Sequence, residues 1–185
     1  MHEKRTAMAN KIAIFCSASD SIASVYEEKA RELGAWIGRK NKWLIYGGAN
    51  LGLMDTVART AKEYGAKVMG IVPTKLEEHG AVSDFLDVTF RSVNLSDRKD
   101  MMEQEADVMV ALPGGVGTLD EIFHVVAAAT IGYHGKKVIL YNVDGFWNGL
   151  LSFLNELEAK HFTRRPLAQY LQVANSFDEL VLMLE

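Results

Sequence analysis

The residues best able to do chemistry lie in one short loop. The apolar run Asp107-Val108-Met109-Val110-Ala111-Leu112 passes directly into Pro113-Gly114-Gly115-Val116-Gly117-Thr118, and a helical pattern begins at Leu119. Three glycines in four positions let the backbone approach a ligand closely, while a helix start offers unpaired N–H groups and a partial positive charge. That combination suits a phosphate monoester. A second glycine turn, Tyr46-Gly47-Gly48-Ala49-Asn50-Leu51-Gly52, also links an apolar run to a helical pattern, so the two could hold different parts of one nucleotide. Neither is a dinucleotide fingerprint: read as G-x-G-x-x-G, the later loop has Asp120 where the third glycine belongs. A G-x-x-x-x-G-K-[ST] phosphate loop is also missing, which excludes P-loop triphosphatases.

Two charged elements accompany the loop. Thr118-Leu119-Asp120-Glu121 reads as a capping box, in which Thr118 caps the helix and Glu121 reaches back to the Thr118 N–H. The competing reading is chemical: a carboxylate beside a phosphate cradle is repulsive unless it addresses ribose hydroxyls, an attacking water or a developing cation. Upstream, Ser96-Asp97-Arg98-Lys99-Asp100 opens another helical pattern. Arg98 could grip a phosphate bidentately and Lys99 could add a point charge, or both could pair with nearby carboxylates on a solvated first turn.

The elements that must position these residues are legible as alternation. Short apolar and β-branched runs at 11–16, 42–46, 66–72, 88–93, 107–112, 137–142 and 171–174 alternate with helical patterns at 24–40, 52–64, 97–105, 119–132, 147–159 and 177–184. Successive βα units predict an α/β fold, a Rossmann-like, doubly wound and mostly parallel sheet of six or seven strands flanked by helices. Such sheets take ligands at the carboxyl ends of their strands, where the glycines gather here. One domain is expected over residues 11–185, preceded by a disordered tail at 1–10. Residues 74–86 form the longest weakly patterned connection, either a lid or a plain surface loop.

Composition narrows the partners. With 49% hydrophobic and 24% charged residues the chain can close one sizeable core, and a net charge of −4 with scattered lysines and arginines argues against nucleic acid. Cys16 is the only cysteine, which excludes an internal disulfide and fits a reducing, cytoplasmic compartment. The five histidines show no metal-ligand spacing, so no metal is expected. No segment approaches the ~20 apolar residues that span a bilayer, so no membrane partner is expected.

Taken together, Pro113-Gly114-Gly115-Val116-Gly117-Thr118-Leu119-Asp120-Glu121 resembles the P-G-G-x-G-T-x-x-E motif of the Lonely Guy (LOG) family, cytokinin riboside 5′-monophosphate phosphoribohydrolases often mislabelled lysine decarboxylases. Arg98-Lys99 is similar to that family's R-K pair, and Tyr46-Gly47-Gly48 with Gly52-Leu53-Met54 to its first glycine turn. The resemblance runs from about Lys11 to the C-terminal helix. It implies hydrolysis of the N-glycosidic bond of N6-modified adenosine 5′-monophosphates, with Arg98 and Glu121 as the catalytic pair. It further implies that Gly114, Gly115, Gly117 and Thr118 hold the phosphate, with Gly47, Gly48, Met54 and Lys99 also binding substrate. No cofactor and a homodimer are implied as well. Pyridoxal phosphate chemistry would need a Schiff-base lysine for which no site is evident. The chain departs from the family pattern at Ala49 and Asp55, where glycines are usual, at Ser96, where a histidine is common, and in Phe15-Cys16-Ser17, which lacks a glycine. Met101 and Met102 could shape a purine pocket, though helix-spaced Met is more often core. A non-catalytic nucleotide carrier or sensor is the main alternative, and a nucleotide-sugar or polyphosphate transferase a weaker one.

Overall fold

In the computed structural model, residues 9–185 are described. Seven strands form one sheet: β1 (Lys11–Phe15), β2 (Trp43–Tyr46), β3 (Lys67–Pro73), β4 (Val88–Ser92), β5 (Val108–Ala111), β6 (Val138–Tyr141) and β7 (Leu171–Ala174). Every pairing is parallel, in the order β4-β3-β2-β1-β5-β6-β7. The helices between them are α1 (Ser24–Arg39), α2 (Gly52–Glu63), α3 (Thr74–Glu78), α4 (Leu95–Glu105), α5 (Val116–Thr130), α6 (Asn148–Ala159) and α7 (Phe177–Leu184). The expected α/β architecture is the observed one.

The central strands are apolar throughout because both their faces are covered. Within β1, Ile12 and Ile14 enter a core shared with Leu33 of α1, Leu53 of α2 and Leu180 of α7. Ala13 and Phe15 point the other way, towards Met102 of α4, Ile122 of α5 and Leu154 of α6. This period-two split is what a doubly covered strand requires.

From β1 the chain winds outward through β2, β3 and β4, then returns to the other side of β1 with β5 and continues through β6 and β7. The crossovers therefore diverge at the β1/β5 boundary, and the crevice outside the carboxyl ends of those two strands is where such sheets bind ligands. The Ser17 N–H donates to the Pro113 carbonyl at 3.2 Å, tying the two strand ends together under that crevice.

Three details differ from expectation. Helix α5 begins at Val116 rather than Leu119, with the extended residue Gly115 as its N-cap and the Leu119 N–H bonded to the Gly115 carbonyl at 3.0 Å. Thr118 is thus inside the first turn, and the anticipated capping box does not form. Helix α4 begins at Leu95 because the Asn94 side chain accepts the N–H groups of Ser96 and Asp97, both at 2.9 Å. Connection 74–86 contains the short α3 and is then pinned to the turn after β2. Asn50 N–H donates to the Ala81 carbonyl, Ser83 N–H to the Gly48 carbonyl, and the buried Tyr46 hydroxyl to Ser83 Oγ at 2.6 Å. Of the tail expected at 1–10, residues 1–8 lie outside the described region, while the Asn10 N–H donates to Asp107 Oδ2 at 2.9 Å.

Candidate active site

A cavity of about 310 Å³ opens at the β1/β5 switch point. Its walls come from four places: Cys16, Ser17 and Ala18 at the end of β1, Met54 in α2, Leu95, Arg98 and Lys99 in α4, and the N-cap Gly115 with Gly117, Thr118, Asp120 and Glu121 of α5. Residues far apart in the sequence meet here because each follows a strand end on the same edge of the sheet.

The N-terminus of α5 provides the anion-binding part. The first N–H groups of a helix lack intrahelical partners, and no side chain caps this one. A Cβ added at Gly115 or Gly117 would meet no protein atom within 4 Å, so the space in front of both belongs to the cleft. Gly114 behaves differently: its Cβ would stand 2.0 Å from Thr118 Oγ1, so this glycine makes room for a buried threonine and does not face a ligand.

The first glycine turn has a similar supporting role. A Cβ on Gly47 would fall 1.4 Å from an Arg98 guanidinium nitrogen, and one on Gly48 would fall 2.5 Å from Val72 Cγ2 at a φ of +76°. Neither residue lines the cavity. Gly47 is the seat on which Arg98 lies. The guanidinium is further held by its Nε, which donates to the Ile71 carbonyl at 3.2 Å.

Arg98 Nη1 stands 3.7 Å from Glu121 Oε1, with both side chains largely withdrawn from solvent. Glu121 is only 5% exposed, although it carries a charge-bearing group and sits one turn inside α5. Burial raises its carboxyl from the ordinary carboxylate range to about 7; Arg98 opposes that rise, Asp120 adds to it and Lys99 opposes it. A carboxylate poised near neutrality beside a cation, in a cleft, is the arrangement expected of a group that handles protons or developing positive charge. Burial likewise raises the Cys16 thiol well above its usual value, so it is a neutral wall of the cleft.

Lys99 turns towards Asp120, with Nζ donating to both carboxylate oxygens at 2.7 Å. Of the methionines, Met54 lines the cavity and Met102 is fully buried in the core. Sequence reasoning did not single out Cys16, Ser17, Ala18, Leu95 or Asp120 as cavity walls. The signal for the first three was their position after β1, whereas Leu95 and Asp120 carried none. Among the described residues no group of side chains is arranged to hold a metal ion, and no helix is long and apolar enough to cross a membrane.

A parallel Rossmann-like sheet with its cleft at the switch point, a bare glycine-fronted helix N-terminus and a buried carboxylate facing a guanidinium defines the class. Comparison with known proteins gives the family. The sequence model of a family described as "Possible lysine decarboxylase" matches residues 54–184. Two cytokinin riboside 5′-monophosphate phosphoribohydrolases of Arabidopsis thaliana are similar throughout. One is 34% identical over 175 residues, covering 95% of this chain and 81% of the relative, and the other is 32% identical over 183 residues, covering 99% and 84%. The chain belongs to this LOG family. Among solved structures, a Moco carrier protein of Chlamydomonas superposes with a TM-score of 0.71 at 24% identity, covering 94% of both chains. A molybdenum cofactor binding protein of Rippkaea orientalis superposes with a TM-score of 0.70 at 23% identity, covering 97% of both. Those likenesses establish the shared fold.

Proposed function

We propose that the protein is a phosphoribohydrolase that cleaves the N-glycosidic bond of adenosine 5′-monophosphates, N6-modified ones included, releasing the free base and ribose 5-phosphate. The observation that carries this reading is the buried Arg98–Glu121 pair facing the cleft beside the N-terminus of α5. Family membership supplies the reaction class, since the relatives are named for that hydrolysis.

In this reading the phosphate sits against the N–H groups of Gly115, Gly117 and Thr118, with Met54 against the nucleoside. Gly47, Gly48 and Gly114 contribute to binding by shaping the loops beneath. As the C1′–N bond breaks, the ribose acquires oxocarbenium character, and the Glu121 carboxylate stabilises it and orients the water that adds to C1′. The proton that the water loses on adding to C1′ passes to the Glu121 carboxylate and on to solvent, the departing purine nitrogen takes one up from solvent, and Arg98 assists by holding the base and offsetting its developing negative charge. Phosphate binding remote from the reacting carbon holds the sugar in place, so its binding energy is used for orientation.

Incubation with AMP and with N6-isopentenyl-AMP, followed by chromatographic quantification of base and ribose 5-phosphate, is expected to show equimolar release of both products. Tight nucleotide binding without release would instead make the protein a carrier, as its Chlamydomonas structural neighbour is named.

The active form is a cytoplasmic homodimer in this reading. Val116, Phe123 and Ile131 on and just beyond α5 are large apolar residues left 84%, 36% and 62% exposed, an apolar surface of the kind that a second copy covers. Light scattering is expected to give twice the chain mass; a monomer at micromolar concentration would overturn this part.

A further inference from the structure

Helix α4 has an unusual way of holding its place. Of its eleven residues only Met102 is fully buried, with Met101 packed partly against the same core. Polar ties add to this narrow apolar contact. Arg98 faces Glu121 at 3.7 Å, Lys99 grips both oxygens of Asp120 at 2.7 Å, and Asp100 approaches His124 Nε2 at 3.1 Å. Successive residues of one helix thus meet neighbouring residues of the other, the first two pairs on the wall of the cleft.

The first two ties differ in kind. Arg98 and Glu121 stand beyond direct hydrogen-bonding reach, so neither has its hydrogen-bonding capacity used up by the other. Lys99 and Asp120 are closed on each other, and the Lys99 side chain is only 14% exposed although it ends in an ammonium. Fully exposed ion pairs contribute little because water and side-chain entropy offset the attraction. Here the aliphatic stem of Lys99 is covered while Asp120 stays half exposed, so the lysine is held in one geometry and the pair fixes a distance between the two helices.

We propose that Lys99 and Asp120 are positioning residues, whose ion pair sets the spacing between Arg98 and Glu121 and balances the charge around Glu121. The inference deepens the phosphoribohydrolase reading and rests on it. It reassigns Lys99, which the sequence alone suggested as a phosphate ligand, to a strut between two helices. The groups facing Glu121 are Arg98 and Lys99 from α4, Asp120 from its own helix, and the neutral Cys16 thiol from the end of β1. Two cations and two carboxylates sum to zero. Removing Lys99 leaves Asp120 unneutralised beside Glu121 and disfavours the Glu121 carboxylate; removing Asp120 leaves a spare ammonium and favours it.

The test compares Lys99→Met, Asp120→Asn and the swap Lys99→Asp with Asp120→Lys. The readouts are kcat, KM for AMP, the acidic limb of the pH–rate profile, and the Glu121 carboxyl titration followed by carbon NMR in the free protein. Lys99→Met is expected to lower kcat about tenfold with KM changed less than about threefold, and to move the limb and the titration to higher pH by roughly half a unit or more. Asp120→Asn is expected to move both the opposite way. The swap should recover most of kcat and bring the midpoint back. A KM raised tenfold or more in Lys99→Met, with the titration unmoved and no recovery in the swap, would make Lys99 a phosphate ligand and overturn the proposal. Loss of thermal stability alone, with the titration in place, would overturn it too. The NMR titration needs no turnover, so it tests the charge balance even where AMP and N6-isopentenyl-AMP are both left intact, the result that sinks the phosphoribohydrolase reading.

Discussion

Replacing Glu121 with glutamine is expected to lower turnover of AMP by about 10²- to 10³-fold while leaving nucleotide binding within a few-fold, the pattern of a group that acts on the transition state and not on ground-state affinity. The amide keeps the shape and burial of the side chain but has no charge to offer an oxocarbenium-like ribose. A pH argument accompanies this. The Glu121 carboxyl titrates at about 7 in the folded protein, so kcat/KM of the native chain should climb with pH up to that value and level off above it. The residual activity of Glu121→Gln should lack that limb.

The same substitution is expected to stabilise the fold, and the direction follows from proton linkage. Glu121 holds its proton more tightly in the folded chain, at about 7, than at the ordinary value of 4.5, so the folded state binds more protons between those values. Its contribution to stability is full below about pH 4.5 and is lost as pH rises through 7. Glutamine resembles the protonated form at every pH. Melting of the variant at pH 8 should therefore occur several degrees above the native chain, reflecting up to about 3 kcal/mol, and the gap should close towards pH 4.5. Equal turnover in the two proteins would return Glu121 to a structural role, and a lower melting point for the variant at pH 8 would show that burial does not oppose the carboxylate.

The second large effect is expected at Gly47, a residue that does not itself line the cleft. Alanine there would put a Cβ 1.4 Å from an Arg98 guanidinium nitrogen and 2.6 Å from its Cζ, so Arg98 must leave its seat and lose the bond from Nε to the Ile71 carbonyl. The displaced group is the end of a flexible side chain, so the fold can absorb the change. Turnover should fall about 10²-fold, because a misplacement of about 1 Å in a catalytic group can cost that much. The melting temperature should move by only a few degrees. Gly115→Ala makes the informative contrast, since its Cβ would enter open cleft and meet no protein atom. That variant should raise KM for AMP with little change in stability. If Gly47→Ala turns over AMP at the native rate, Arg98 does not act from the position described.

The turn after β2 shows how far local sequence could be read and where it stopped. Gly47-Gly48 was recognisable as a turn at a strand-to-helix step, because such turns have local signatures in glycine and in the change of hydrophobic period. That Gly47 exists to accommodate an arginine from another helix was invisible, since nothing in residues 46–52 records what packs against them. Glu121 gives the complementary case. Its spacing from Thr118 fitted a capping box, but capping depends on where the helix begins, and Gly115 starts it early enough to carry Glu121 into the wall of the cleft.

By itself the sequence determined the seven strands and every helix but the short α3, the α/β class, the glycine-rich start of α5, and the presence of Arg98 and Glu121 as chemically capable groups. These are local properties: period-two and period-3.6 patterns, turn residues and side-chain type are all written within a few positions. Only the tertiary structure decided the strand order that puts the crevice between β1 and β5, the burial that raises Glu121 to about 7, and the choice of Asp120 as the partner of Lys99. Each of those depends on contacts between residues distant along the chain. Desolvation and charge pairing act through space, so they exist only once the sheet has brought those residues together.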